Sequence, residues 1–419
     1  MAENIKKRGR PIGSVKKHSS NGALNIVKFE KQVQGAPIVK QSGMGWVNWG
    51  LKNLYPIDLI NLYNTSPTHR ACIDFSTNAI IGNGIDYEAM KLKDADVGTP
   101  NYYQGWDEFI RCLAFDYCLY GTFAFQIIKN RGGNTYSYFH QPVETVRVGE
   151  ADEDGIFTHA YISKDWSATG KFPPVEIPVF GFQEDETIEY GKPYLFYFRN
   201  YSPINYYYGS PVYSAALQAI QTEVEYVNYD LKHITNGFAS TGMLTLPTVE
   251  SDEERQAVLD NIQRMFTGSE NANAVMVAFR SNIEDKPAEF TSFQQNTNVN
   301  IYSEANERTI NRIMAGHRIT SKALIGYPVD DTGFSDSGKY LESAYALYNI
   351  NVADNNRRAI LSAINNAFKL NGIDTEIILK PLKYIVEDTQ TTKQENTESE
   401  TNDATPVNEE NATEREANT

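Results

Sequence analysis

The sequence predicts an elongated α+β subunit made of several parts. Three observations support this prediction: a long amphipathic helix near the middle of the chain, short strands before this helix, and a strand–helix–strand segment after it. The 419 residues suffice for two or three conventional domains or for one such multi-part subunit. The sequence contains no internal repeat.

The central helix is predicted over residues 210–236. Ser210 and Pro211 are typical of an N-cap and a first helical position, and Asn236-Gly237 is typical of a helix end. At 1.5 Å per residue, the helix would be roughly 36 Å long. Its apolar residues recur at three- and four-residue steps and form one stripe: Leu217, Ile220, Val224, Val227, Leu231 and Ile234. The stripe predicts a long partner surface, although the same pattern is typical of a helix in an ordinary protein core.

Helices and short strands are predicted before the central helix. Ser66-Pro67 begins a helix that Gly82-Asn83-Gly84 ends, and Gly121 ends the next helix. The predicted elements are helices over residues 67–81 and 106–120, a strand over 123–129, a hairpin turn over 131–134, and further short strands up to Phe198.

A small α/β unit between two long helices is predicted after the central helix. Ser251 and the acidic residues that follow it are typical of a helix start. The predicted elements are strands over 243–246, 274–279 and 289–293, a helix over 251–266, a second long helix over 303–318, a loop over 326–337, and a final long helix that Asn371-Gly372 ends.

The net charge of −15 is distributed unevenly along the chain. Residues 1–31 carry a balance of +6, residues 387–419 a balance of −8, and the remainder a balance of −13. Both ends lack the apolar periodicity of a packed core, and we expect them to be flexible. Because phosphate contacts need Lys and Arg, the acidic remainder suits a surface past which DNA slides better than one that grips DNA.

Nothing in the sequence indicates an exported or membrane-spanning protein. Cys72, Cys112 and Cys118 form no CxxC pair, and we expect buried free thiols in a reducing compartment. No apolar run reaches the roughly 18 residues of a membrane span, and the basic N-terminus lacks the apolar segment of a signal peptide. We therefore expect a soluble protein made in a cytoplasm.

The sequence lacks the motifs of common enzyme classes. It has no GxxxxGK[ST] phosphate loop, no GxSxG motif and no histidine pair at zinc-ligand spacing. Asp330, Asp331 and Asp336 could be drawn as a cation site, but an exposed acidic loop is the preferred interpretation. No cofactor or metal is expected, and an enzyme stays open as an alternative only because carboxylate pairs can assemble in space.

Three segments together follow the order and pattern of a known family. The first, Tyr201–Pro247, contains the YGSP motif, the central helix and a glycine-containing turn before a strand. The second, Trp106–Arg131, is a helix followed by a glycine and a strand, and the third is GHRITSKALIGYP at Gly316–Pro328. These segments resemble the portal proteins of tailed double-stranded DNA bacteriophages, with Ser321 where the family pattern has proline. The resemblance covers about Trp46 to Val386 and rests on order rather than on a catalytic signature.

The resemblance implies that the chain is divided into the parts of a portal subunit. These parts are a flexible basic arm (1–45), the first part of the wing (46–209), stem helix 1 (210–236), the clip (237–299), stem helix 2 (300–318), the tunnel-loop region (319–337), the long helix with the C-terminal wing or crown part (338–386), and a disordered acidic tail (387–419).

The resemblance also implies a homododecameric ring at one capsid vertex of the virion, assembled in the host cytoplasm. The ring would be the DNA channel for genome packaging and ejection. Its partners would be further copies of the chain, double-stranded DNA, the terminase large subunit, a head–tail connector protein, and a major capsid or scaffolding protein, with no membrane. Terminase would hydrolyse the nucleotide, so the chain itself would not be an enzyme. The stripe Leu217, Ile220, Val224, Val227 and Leu231 would form the subunit interface, and Glu253 and Glu254 of the clip would contact terminase or the connector.

The basic segment KKRGRPIGSVKK resembles an AT-hook. In its core RGRP, the glycine lets the backbone lie flat, the proline fixes its course, and two arginines can reach the floor of a narrow A·T minor groove. The predicted DNA-binding residues are Lys6, Lys7, Arg8, Gly9, Arg10, Pro11, Lys16 and Lys17. A generic basic tail for any polyanion or for a capsid partner fits the same composition. The alternative to a portal protein is therefore a nucleoid-associated AT-hook protein.

The acidic loop GYPVDDTGFSDS lies between the second stem helix and the long helix. The resemblance implies that this loop projects into the central channel. Tyr327 and Phe334 would narrow the channel, while Asp330, Asp331 and Asp336 would form a negative collar that discourages DNA from sticking. An ordinary surface loop is the alternative interpretation.

Overall fold

The computed structural model describes residues 39–382, except 42, 133–134, 154, 182–187, 204, 236–241, 247–250, 267–275, 280–288, 293–298 and 328–333. The AT-hook-like segment and the acidic tail lie outside the described residues. The described residues form a mixed fold of helices and small sheets, in agreement with the predicted fold class.

The helices differ widely in length, and the longest lie in the second half of the chain. They are α1 (Tyr55–Thr65), α2 (Pro67–Ile81), α3 (Asp94–Val97), α4 (Trp106–Tyr120), α5 (Leu217–Thr235), α6 (Asp252–Phe266), α7 (Val299–Gly316), α8 (Phe334–Tyr348) and α9 (Asp354–Leu370). Within the described residues, 3₁₀ turns lie at Val143–Thr145, Ser214–Ala216 and Lys322–Ile325, and a π-helical turn at Asn349–Ala353 joins α8 to α9.

The strands form small sheets of two or three members. The first pairs β1 (Val39–Gln41) with β2 (Val47–Trp49), antiparallel. Two antiparallel sheets have the orders β4-β3-β8, from Tyr136–His140, Thr122–Lys129 and Pro193–Arg199, and β5-β6-β7, from Val146–Val148, His159–Ile162 and Val175–Pro178. The last has the order β10-β9-β11, from Met276–Phe279, Gly242–Leu246 and Glu289–Ser292, with β10 parallel and β11 antiparallel to β9.

The main core lies where α2, α4 and α9 pack together beside β3. Aromatic rings fill much of it: the Trp106 and Phe368 ring centroids are 4.7 Å apart, and those of Phe125 and Phe196 are 4.6 Å apart. The core extends to the start of α5 and the end of α7. This continuity places the long helices on the same hydrophobic body as the N-terminal half of the chain.

Local signals predicted several helix ends correctly. Ser66 caps α2, its side chain accepting a hydrogen bond from the His69 amide at 3.2 Å, and Gly82 follows the last turn with a φ of 63°. Gly121 ends α4 in the left-handed conformation. A Cβ on Gly121 would lie 2.5 Å from the Ser210 carbonyl oxygen. The glycine is therefore needed both for its conformation and for this close crossing of the chain.

The prediction that α5 begins at Ser210 and Pro211 is wrong. The Asn200 side chain takes both backbone groups of Ser210, accepting from its amide at 2.8 Å and donating to its carbonyl at 2.6 Å. The chain then enters the 3₁₀ turn Ser214–Ala216, and α5 begins at Leu217. Because Asn200 holds Ser210 outside the helix, the local N-cap signal loses to a contact from ten residues away.

Most later elements lie close to their predicted positions. Strands β9, β10 and β11 and helix α6 agree within two residues, and Ser251 accepts a hydrogen bond from the Glu254 amide as a helix cap does, at 3.1 Å. Helix α7 begins at Val299 rather than at residue 303. Ser321 caps the 3₁₀ turn that follows α7, since its Oγ accepts from the Ala323 amide at 3.3 Å. A serine thus serves at the position where the family pattern has proline.

The cysteines are free, as predicted from their odd number and spacing. Cys72 and Cys118 are buried, and Cys112 is partly exposed. Burial raises the pKa of the Cys118 thiol to about 12, with a small opposing effect from a hydrogen bond with Thr77. Across the described residues, no helix is both long and apolar enough to cross a membrane.

Candidate functional site

Helix α5 shares its apolar stripe between the chain's own core and its surface. Leu217 and Ile220 are fully buried, and α5 packs along α7 of the same chain. Val224 is half-buried against the same core, whereas Val227 and Leu231 are 49% and 58% exposed. The prediction that Leu217 and Ile220 lie in a subunit interface is therefore wrong, because the chain itself covers them. Val227 and Leu231 are only partly covered by the chain.

A carboxylate interrupts the buried part of this stripe. Glu223 is 5% exposed and points at the N-terminus of α2. Its Oε1 accepts a hydrogen bond from the Thr68 hydroxyl at 2.5 Å, and its Oε2 accepts one from the Ser66 hydroxyl. Negative charge is favoured at a helix N-terminus, where backbone N–H groups are left without helical partners. Glu223 therefore fixes α5 on the start of α2.

Tyr327 also contacts Thr68, so that Ser66, Thr68, Glu223 and Tyr327 form one hydrogen-bonded cluster. Its hydroxyl lies 3.0 Å from the Thr68 Oγ1, and its ring packs partly buried against the core. In this structure Tyr327 therefore holds the base of the predicted tunnel loop to α2. The expectation that Tyr327 narrows a channel stays a prediction, since its ring is only partly buried within the chain.

Of the other residues predicted for the tunnel loop, two lie outside the described residues and two lie in helix α8. Asp330 and Asp331 lie outside the described residues. Phe334 and Asp336 belong to the first turn of α8, so the helix begins earlier than predicted. In the described part of the chain, no three His, Cys, Asp or Glu residues come together as a possible metal site.

Two buried histidines meet beside this cluster. The Nδ1 of His69 on α2 lies 2.9 Å from the Nε2 of His317, which directly follows α7. The Tyr213 ring stacks on His317 with centroids 4.8 Å apart. Burial lowers the pKa of His69 to about 3, and burial together with His69 holds the pKa of His317 well below its ordinary value. Both rings are therefore neutral at pH 7, and one must donate while the other accepts.

The contact between α7 and the turn before α5 is very close. A Cβ on Gly316, the last residue of α7, would lie 2.4 Å from the Cβ of Ala216. The sequence contains Gly316 in GHRITS, but its partner is a hundred residues away and was not predicted. Only a residue without a side chain lets the two segments approach to this distance.

The other predicted functional residues lie apart from this cluster. Glu253 and Glu254 are exposed in the first turn of α6. The predicted DNA-binding residues between Lys6 and Lys17 lie outside the described residues. A second exposed apolar surface, which sequence reasoning missed, lies on α8 and the π-helical turn. Its members are Tyr340, Leu347 and Ile350, which follow one another at helical spacing on one face.

Solved structures with a similar fold come from phage-like particles. One is described as "Neck of native GTA particle computed with C12 symmetry", where GTA stands for gene transfer agent: the TM-score is 0.51 at 14% identity, over 83% of this chain and 86% of that chain. Another, from the neck of an empty GTA particle with C6 symmetry, gives a TM-score of 0.50 at 13% identity, over 80% and 85% of the two chains. At such identities the likeness shows a shared fold.

The sequence itself also matches a protein family. No curated protein matches the sequence. The family model for "Phage portal protein" matches residues 88–326, which is more than half of the chain. This stretch includes strands β3 to β11, helices α5 and α7 with the segment between them, and the 3₁₀ turn before Tyr327. None of the matches supports the AT-hook nucleoid alternative. The chain belongs to the phage portal protein family.

Proposed function

We propose that this portal protein assembles into a ring that forms the DNA channel at one vertex of a phage-like capsid. Family membership supports the portal role, and the structurally similar GTA chains come from necks with C6 or C12 symmetry. The observation that carries the ring is the division of the α5 stripe. One chain covers Leu217 and Ile220 but leaves Val227 and Leu231 about half exposed, and we infer that a neighbouring copy covers them.

The exposed part of the stripe is large enough to matter for assembly. Fully burying an aliphatic side chain of this size contributes about 1.5–3 kcal/mol. Val227 and Leu231 are about half exposed, so covering them contributes about 1 kcal/mol each, at every interface of the ring. The apolar face of α8, with Leu347 and Ile350, is a second surface of the same kind. Burial of both faces at every interface would add these small free energies together and so stabilise the assembled ring.

The ring is tested by placing charge on the exposed half of the stripe. In the double variant Val227→Asp/Leu231→Asp, ring formation would bury unpaired carboxylates at a cost of several kcal/mol, so rings should be absent. Thr222→Asp is the matched control, because Thr222 is exposed on the opposite side of the same helix. Light scattering and negative-stain microscopy report the outcome. Rings from the double variant, or loss of rings in the control, would contradict the interface.

The clip is proposed to dock terminase during packaging and the connector afterwards. The support is the position of α6 between two long helices, together with the exposed carboxylates of Glu253 and Glu254. Reversing both charges to Lys should weaken terminase pull-down while rings still form. If pull-down is unchanged and the rings are lost instead, α6 belongs to the ring and not to the docking surface.

The remaining assignments follow from the family and from the charge distribution. The division into arm, wing, stem helices, clip, tunnel-loop region and tail is kept as a proposal, with α5 (Leu217–Thr235) as stem helix 1 and α7 (Val299–Gly316) as stem helix 2. The basic arm is proposed to contact DNA or the capsid, and Asp330, Asp331 and Asp336 to supply negative charge near the channel. The protein would act at the capsid vertex of the virion after assembly in the host cytoplasm. Because the family is structural, nucleotide hydrolysis is assigned to terminase.

A further inference from the structure

Three distant parts of the chain meet in one short line of hydrogen bonds. Tyr327, after the 3₁₀ turn Lys322–Ile325, contacts Thr68 at the start of α2, and Thr68 contacts Glu223 on α5. The sequence separations are 259 and 155 residues. The line therefore joins the segment that follows α7 to α5 through a single side chain of α2.

The direction of these hydrogen bonds is determined by what each group can do. A carboxylate only accepts, so the Thr68 hydroxyl must donate its one hydrogen to Glu223. The Thr68 oxygen can then only accept, and Tyr327 must donate to it. Each hydroxyl in such a line polarises the next, so the contact of Tyr327 with Thr68 is strengthened by the carboxylate beyond it.

Glu223 depends strongly on these hydroxyls. Within the described residues it forms no ion pair with Lys, Arg or His, and its two oxygens are used by Ser66 and Thr68. A buried carboxylate that loses a donor is costly, more so than a neutral group. Thr68 therefore stays with Glu223, and a shift of α5 would move Thr68 or leave the charge without one of its donors.

The segment on the other side of the line ends in a glycine against which nothing packs. Gly326, next to Tyr327, has a φ of 87°, and no atom lies within 4 Å of the place where its Cβ would be. The Tyr327 amide donates to the Lys322 carbonyl at 3.1 Å, which is the last backbone hydrogen bond of the turn. The hydroxyl of Tyr327, together with its partly buried ring, therefore restrains the end of this turn.

We propose that Tyr327, Thr68 and Glu223 form a relay that couples the seating of α5 to the conformation of the segment Lys322–Tyr327. When Glu223 leaves the N-terminus of α2, Thr68 loses its acceptor and Tyr327 loses its polarised partner, so the segment loosens. The reverse also holds, because coupling between two sites is reciprocal. The three are positioning residues. The relay lies within one chain and does not require the ring.

The relay is tested by hydrogen exchange on the full-length protein. Tyr327→Phe removes one hydroxyl, and Glu223→Gln removes the charge while keeping the shape. Each should speed amide exchange roughly 2- to 13-fold, not only in its own segment but also in the segment at the other end of the relay. In a Thr68→Val background, adding Tyr327→Phe should change exchange in α5 by less than about 2-fold, because the link is already broken.

A matched control removes a comparable tyrosine hydroxyl that also contacts α2, but from α8. Tyr348 donates to Ser76 on α2 at 2.8 Å but takes no part in the relay. Tyr348→Phe should leave exchange in Lys322–Tyr327 unchanged. The relay would be overturned if Tyr327→Phe and Glu223→Gln each changed exchange only in their own segment. It would also be overturned if the effects of Thr68→Val and Tyr327→Phe simply added in the variant that carries both. Coupled exchange in a protein that forms no rings would retain the relay and overturn the proposed function.

Discussion

The close contact of Gly316 with Ala216 gives a prediction whose size can be worked out from the structure. Gly316→Ala would place a new Cβ 2.4 Å from the Cβ of Ala216. Carbon atoms in ordinary contact are about 3.5–4.0 Å apart. The end of α7 and the turn Ser214–Ala216 must therefore separate by more than about 1 Å. This separation would loosen the start of α5 from the end of α7.

Two opposing effects set the size of the change. Overpacking a well-packed contact costs about 1–3 kcal/mol. Alanine is favoured over glycine inside a helix by up to about 1 kcal/mol, and by less at the last residue of α7. Overpacking therefore wins, and a net cost of about 1–2 kcal/mol corresponds to roughly 5- to 30-fold faster amide exchange at the α5–α7 junction.

A swap of the methyl group tests the geometric reason. Ala216→Gly alone removes a small side chain and costs about 0.5–1 kcal/mol through backbone freedom. In the double variant Gly316→Ala/Ala216→Gly, the new methyl occupies the space that the old one left, so most of the added exchange should disappear. Hydrogen exchange measured by mass spectrometry on the full chain reports both results. If the double variant exchanges faster than Gly316→Ala alone, the two residues do not share this contact and the reasoning fails.

Three further predictions follow. Between pH 7 and pH 5 the free energy of unfolding should fall by about 2 kcal/mol for each of His69 and His317, because they stay neutral in the fold while the unfolded chain binds protons near pH 6.5. Calorimetry across this range should show a lower melting temperature, and the fall should shrink in the variant His69→Leu/His317→Leu. Gly82→Ala should destabilise the fold by more than about 1 kcal/mol, since its Cβ would lie 2.0 Å from the Lys380 carbonyl oxygen, and thermal unfolding checks this. Deleting residues 1–20 should leave assembly intact but lower DNA affinity and flatten its salt dependence, as measured by filter binding.

Helix ends were predictable where the determining contact is local. Ser66 caps α2 through a bond to an amide three residues away, and Gly121 ends α4 by its own backbone conformation. The same holds for Ser251 at α6. Such signals can be read from a few neighbouring residues because both partners of the contact lie within one turn.

Predictions failed where a distant residue takes over a local group. Ser210 has the sequence context of a helix cap, yet Asn200 uses both of its backbone groups and delays the helix to Leu217. The π-helical turn at Asn349–Ala353 has no signal in the periodicity of the sequence, since one additional residue per turn shifts the pattern only locally. The pairing of His69 with His317 spans 248 residues and is likewise invisible to sequence reasoning.

The α5 stripe shows most clearly what an amphipathic pattern can and cannot predict. The periodicity correctly predicted a helix with one apolar face, but it contains no information on which surface covers that face. The structure divides the stripe: α7 and the core cover it as far as Val224, and beyond that point Val227 and Leu231 are exposed. Glu223 lies at this boundary, bound to the start of α2. The charged residue within the stripe therefore marks the place where packing within the chain ends. Among the described side chains of α5, Glu223 is the buried polar one, so if copies of the chain cover the rest, a displacement of α5 at a subunit interface would act on Glu223.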